Sequence, residues 1–129
     1  MKNARILITI AVIIVLIFGA AFFESLLLKN DAKNLEAKII NVEDSTKKED
    51  WKMAETNLSS VLDEWPKVES KWSVLLDHAE IDNIEDALIK VDSYIKAKDA
   101  SSALAELASL KNFINHIPKK EAFSIKNVF

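Results

Sequence analysis

Asp77, His78, Glu80 and Asp82 put one imidazole and three carboxylates within a single short stretch, and Glu85 follows close behind. If a helix runs through them, His78 and Asp82 lie four apart on one face, a spacing that presents imidazole and carboxylate to one divalent ion. The same residues also serve folding. Asp82 and Glu85 have the spacing of a capping box, with Asp82 capping a helix, Glu85 completing the cap and His78 hydrogen-bonding at a buried corner. The capping reading is preferred, so no metal and no cofactor is assigned. A binding surface at this corner, with Trp72 beside it, remains a candidate for interaction or ligand recognition.

Trp51, Trp65 and Trp72 share one heptad position. Such a stripe either lines a ligand groove, since indole offers a flat face and one N–H donor, or forms core, which is the preferred reading. His116, two residues before Pro118, reads as a positive complement to a helix C-terminus. Nucleophilic catalysis lacks its usual parts, with no glycine-flanked serine elbow and no glycine loop. The one glycine, Gly19, lies in an apolar run, so a phosphate-binding loop is excluded. No catalytic set is assembled, and a non-enzyme is expected. A net charge of −3 and a pI near 5.4 provide no broad basic surface for nucleic acid. The absence of cysteine removes disulfides, thiolate metal sites and lipid-anchoring cysteines.

The elements that position these residues are helices. One Gly and two Pro in 129 residues leave little turn chemistry for a β-fold. After a short basic tail, residues 1–5 with Lys2 and Arg5, the run 6–23 is free of charge. As a helix it spans about 27 Å, close to the hydrocarbon thickness of a bilayer. Residues 6–23 are therefore expected to be a retained signal-anchor helix in the cell membrane, with 1–5 cytoplasmic and 24–129 an extracytoplasmic helical domain. A cleaved signal peptide is the rival, with Gly19-Ala20-Ala21 as small residues near its end. Helix-favouring sequence continues straight through Ser25-Leu26-Leu27-Leu28 and argues for retention.

The expected fold class is all-α: the transmembrane helix, then an antiparallel bundle of about four helices arranged as two hairpins. Leu28, Ala32, Leu35, Ile39 and Val42 form the first stripe. A turn over 44–49 follows, with Asp50 capping the next helix. Trp51, Ala54, Leu58, Val61, Trp65, Val68, Trp72 and Leu75 form the second, with Pro66 predicting a kink. After the corner at 77–82, Ile84, Leu88, Val91 and Ile95 make the third stripe. A polar corner at 96–99 leads to Ala100, Ala103, Leu107, Leu110, Ile114 and Ile117, and Pro118 is expected to end that helix. Phe123, Ile125, Val128 and Phe129 are expected to pack back on the bundle.

An internal repeat shows at an offset of 49 residues, matching Ile40 with Ile89, Val42 with Val91, Lys47 with Lys96, Asp50 with Asp99, Ala54 with Ala103, Leu58 with Leu107 and Ser60 with Ser109. Each copy would be one helical hairpin.

The apolar N-terminus, Glu49-Asp50-Trp51 with Ala54, Trp65, Lys71-Trp72, Leu75, the 77–82 segment, Ala103-Leu104-Ala105-Glu106-Leu107, His116-Ile117-Pro118 and Ser124-Ile125-Lys126-Asn127 together resemble a family. It is a domain of unknown function found in short proteins of Gram-positive, often spore-forming, bacteria. The resemblance covers nearly the entire chain and implies a single-pass, membrane-anchored helical protein without assigned activity or cofactor. It also points to another membrane or envelope protein, such as an uncharacterised multispan protein, as partner. The functional expectation is an extracytoplasmic protein-interaction module, with a ligand- or metal-ion-sensing helical domain as the alternative.

Overall fold

The computed structural model describes the backbone of residues 2–128 and the side chains of residues 2–117. Four helices account for the described chain: α1 (Lys2–Lys47), α2 (Trp51–Leu75), α3 (His78–Lys96) and α4 (Ala100–Val128). Helix α1 packs on α2 and α4, and α3 packs on α4 and more sparsely on α2. The bundle is thus a closed square of antiparallel neighbours. Its core holds every residue of the four predicted stripes except Trp51, Leu75 and Ala100, which are half-buried, and adds Ile81 and Ala87.

Helix α1 is continuous from the apolar run into the bundle. Its 46 residues extend about 69 Å. Along its N-terminal half the large apolar side chains face outward: between Ile6 and Phe18 seven are more than half exposed, Val15 at 69%. From Leu28, at 2% exposure, its inward stripe is buried. Helices in water do not leave such a surface bare, and the apolar half is long and apolar enough to cross a membrane.

Two corners, α1–α2 and α3–α4, share one design. At the first, Glu49 N–H donates to the Thr46 carbonyl (3.0 Å) and Asp50 N–H to the Ser45 carbonyl (3.0 Å), while Glu49 takes a left-handed φ of 55°. At the second, Lys98 N–H donates to Ile95 (3.0 Å) and Asp99 N–H to Tyr94 (2.9 Å), with Lys98 at φ 57°. Both are Schellman closures that satisfy carbonyls at a helix end. The aspartate that completes each closure also caps the next helix: Met53 N–H donates to Asp50 Oδ1 (3.2 Å) and Ser102 N–H to Asp99 Oδ1 (3.1 Å). Every one of these atoms is related to its counterpart by the same 49-residue offset. The core obeys it too, with Leu35 matched to Ile84, Ile39 to Leu88, Val61 to Leu110, Trp65 to Ile114 and Val68 to Ile117, all buried. Ala54 and Ala103, both at 0% exposure, let the paired helices approach closely one turn past each corner. The two hairpins are structural repeats.

Two local expectations are corrected. The α2–α3 corner is shorter than 77–82: α2 closes at Leu76, whose N–H donates to the Trp72 carbonyl (2.8 Å), and α3 begins at His78 with Asp77 in the N-cap position. Asp82 therefore lies inside α3 and caps nothing. The apolar stripe extends one turn back to Ile81, 5% exposed, and burying it requires helix there. Pro118 does not end α4, which runs to Val128. A proline forfeits one hydrogen bond, the one to the Ile114 carbonyl, and a helix in good register survives that loss. Pro66, in contrast, sits as expected inside one long α2, exposed, so the carbonyl of Leu62 that it leaves without a helical donor is on the wet side. The expected packing of Phe123, Ile125, Val128 and Phe129 lies outside the described side chains.

Candidate functional site

The residues singled out for chemistry are not gathered. Trp72 is fully buried, its ring edge-to-face with Trp65 at 6.0 Å and 85°. Trp51 lies at the opposite end of α2, half-buried against the core. The tryptophan stripe is core. Asp77 and His78 are exposed, Glu80 is half-buried, and Asp82 is exposed one helical turn beyond His78. His78 is thus not the buried hydrogen-bonding corner residue expected of it. Among the described residues, no three His, Asp or Glu side chains come together as a metal would require. His116 is exposed in the interior of α4 and complements no helix end.

What the fold does assemble lies along its seams. At the α1–α4 seam, Lys111 Nζ and Glu43 Oε1 form a 2.7 Å ion pair, with Glu43 9% exposed. Glu43 follows Val42 on the buried side, and Lys111 lays its aliphatic stem over the seam to reach it. At the α1–α2 seam, the Ser45 hydroxyl donates to the Asn41 carbonyl (2.8 Å), and the Asn57 amide donates to both Ser45 Oγ (2.6 Å) and Asn41 O (3.2 Å). These groups border a polar recess of about 380 Å³ with Asp44, Lys48 and Asp50 at the far corner of the bundle. Lower on the same seam, Lys38 meets Glu64 (3.4 Å) and Lys71 meets Asp31 (3.1 Å).

The α2–α3 seam differs. The 49-residue repeat makes Asp92 the counterpart of Glu43 and Leu62 the counterpart of Lys111, so the ion pair that closes one seam has no equivalent at the other. Asp92 turns instead to Lys96 on its own helix, 2.8 Å away, and holds that ammonium above its ordinary range. An open groove of about 250 Å³ results, floored by Leu62, Trp65, Leu88 and Ile89 and edged by Glu85 and Asp92. Leu62 and Ile89 stay 38% and 65% exposed. The Trp65 indole N–H is buried without an acceptor among the described residues. One turn along, partial burial and a hydrogen bond with Glu85, carboxyl against carboxylate, raise Glu69 above the usual carboxylate range. The groove is therefore apolar at its floor and negative at its rim. No signal within one helix foretold it; laying Leu62 against Lys111 through the repeat would have.

No curated protein and no solved structure matches the chain. The sequence model of one family, described only as a domain of unknown function (DUF4363), matches residues 22–128. That span takes in the entire described bundle and leaves out most of the apolar run, and the chain belongs to this family.

Proposed function

We propose that this protein is a non-enzymatic, membrane-tethered interaction module, anchored by residues 6–23 with its helical domain outside the cytoplasm. The observation that carries the reading is the bare apolar half of α1 leaving a bundle whose own core is already closed. Lys2 and Arg5 ahead of that run favour a cytoplasmic N-terminus. The α2–α3 groove is the docking surface this reading favours, because its apolar floor and acidic rim suit a helix of a neighbouring membrane or envelope protein with an apolar face and flanking Lys or Arg. Tethering both partners in one membrane raises their effective concentration, so a modest interface suffices.

The test is site-specific crosslinking in native membranes from a photoreactive residue at position 89, compared with Leu62→Glu. Expected are resistance of the protein to alkaline extraction, labelling of a Lys48→Cys variant from outside intact cells, and one adduct lost on Leu62→Glu. Release by alkali or labelling only after lysis refutes the anchoring or the orientation. A ligand-binding reading is favoured by one observation, the unpartnered Trp65 N–H at the groove. It predicts ligand-dependent quenching of tryptophan fluorescence in a Trp72→Phe background.

A further inference from the structure

The ion pairs along the α1–α2 seam fix how far the bundle descends toward the apolar run. Lys71 meets Asp31 and Lys38 meets Glu64, so each step up α2 is matched by a step down α1. Val74 thereby comes level with about residue 28 of α1, and Asp77 with about residue 25, at ~1.5 Å of axial rise per residue. The charge-free run ends at Phe23. The α2–α3 corner thus lies within roughly 3–8 Å of the end of the apolar helix, the depth of a bilayer's headgroup layer. Two further features sit at this end. Ala21 and Ser25 are half-buried on the same side of α1 as Leu28, while Ala11 and Ala20 are exposed, so the bundle's cover of α1 reaches into the apolar run itself. Val74 is 83% exposed, the barest large apolar side chain in the described protein, and Phe22, Phe23 and Leu26 at the same end are 68%, 61% and 42% exposed.

We propose that the bundle stands end-on against the bilayer, with the α2–α3 corner and Val74 seated together in the lipid headgroup layer, just outside the acyl chains. The partner of this surface is the lipid itself. An aliphatic side chain left bare in water is placed where an apolar environment begins, in continuity with the surface of the membrane helix. Asp77 and His78 then face headgroups and interfacial water instead of a protein partner, which accounts for charged and exposed residues at a bundle end. The opposite end, with the Glu49 and Lys98 corners, is held about 30 Å away by the twenty residues from Leu28 to Lys47. The inference rests on the anchored reading above.

The natural chain has no cysteine, so single labels report cleanly. Full-length Ile14→Cys, Val74→Cys and Lys48→Cys variants, each carrying an environment-sensitive fluorophore, are reconstituted in phosphatidylcholine vesicles. Nitroxide-bearing phosphatidylcholine then quenches from a deep or a shallow position on the acyl chain. The expected result is loss of the Ile14 signal to the deep nitroxide, loss of the Val74 signal to the shallow one, and no loss at Lys48. An Ala79→Cys label on the same corner should follow Val74 and guards against a local effect of the Val74 substitution. If Ile14 is quenched while Val74 and Ala79 behave like Lys48, the end-on seating is wrong and the anchor stands. If Ile14 is not quenched, both fall. Quenching at Lys48 as well as Val74 means the bundle lies flat, which also overturns the proposal.

Discussion

Replacing Lys98 or Glu49 with glycine should stabilise the bundle, although neither side chain is part of the core. Both residues hold a left-handed backbone, φ 57° and 55°, at the residue that turns a Schellman closure into the next helix. A side chain with a Cβ sits there at a cost of about 1–2 kcal/mol, which glycine avoids. Glycine in turn loses roughly 0.5–1 kcal/mol through its greater freedom in the unfolded chain. The expected net gain is about 0.5–1 kcal/mol per site, and a domain of about a hundred residues converts that into a midpoint rise of roughly 3–6 °C. The two corners share no hydrogen-bond partner, so the double variant should gain about the sum. Thermal unfolding of the full chain in detergent micelles, followed by tryptophan fluorescence, is the assay. Buried Trp65 and Trp72 report the bundle, whereas helicity would be dominated by the apolar half of α1. Glu49→Ala and Lys98→Ala retain the Cβ and serve as controls. Glycine variants no more stable than their alanine counterparts would refute the assignment of left-handed strain to these corners.

Three further outcomes are expected. Trp72→Ala should cost about 3–5 kcal/mol by emptying a fully buried indole site, enough to unfold the bundle at room temperature in urea titrations, whereas His78→Ala should leave the midpoint unchanged. Pro66→Ala should restore a donor to the Leu62 carbonyl inside α2 and raise stability by roughly 1–3 kcal/mol in the same titration. Glu69 binds its proton more tightly when folded, so protonation favours the fold. Stability therefore rises as pH falls through the raised carboxyl range, and Glu69→Gln should add a few tenths of a kcal/mol at neutral pH, an advantage that fades as the pH is lowered through that range. A variant advantage independent of pH would contradict the Glu69–Glu85 contact.

Periodicity alone located the four stripes because each helix buries one narrow face, and a three-four spacing of apolar residues has few other uses. Turn chemistry located Asp50 as a cap. The same rule misplaced the start of α3, because Asp77 with Glu80 and Asp82 with Glu85 carry the same capping spacing. The deciding signal was Ile81, whose burial demands helix one turn earlier. Pro118 misled where Pro66 did not: the apolar stripe continues in register on both sides of Pro66 and marks one helix through it, whereas Pro118 follows the last residue of its stripe and was read as a stop. His78 and the carboxylates around it attracted notice by type, and their exposure depends on which face of α3 meets the bundle. The α2–α3 groove was illegible helix by helix. It exists because Leu62 stands where the other seam has Lys111, a difference between elements that only their packing brings opposite one another.

Helix α1 has a mechanical consequence, because no turn or proline separates its apolar half from its bundle half. The stretch from Glu24 to Lys47 acts as a lever about 36 Å long. A tilt of about 20° from the bilayer normal, ordinary for a spanning helix, carries the far corners sideways by about 12 Å. Rotation of the span about its own axis turns the groove to face a different neighbour. One residue inserted between Phe23 and Leu28 would redirect the groove by about 100° without altering a single contact within it.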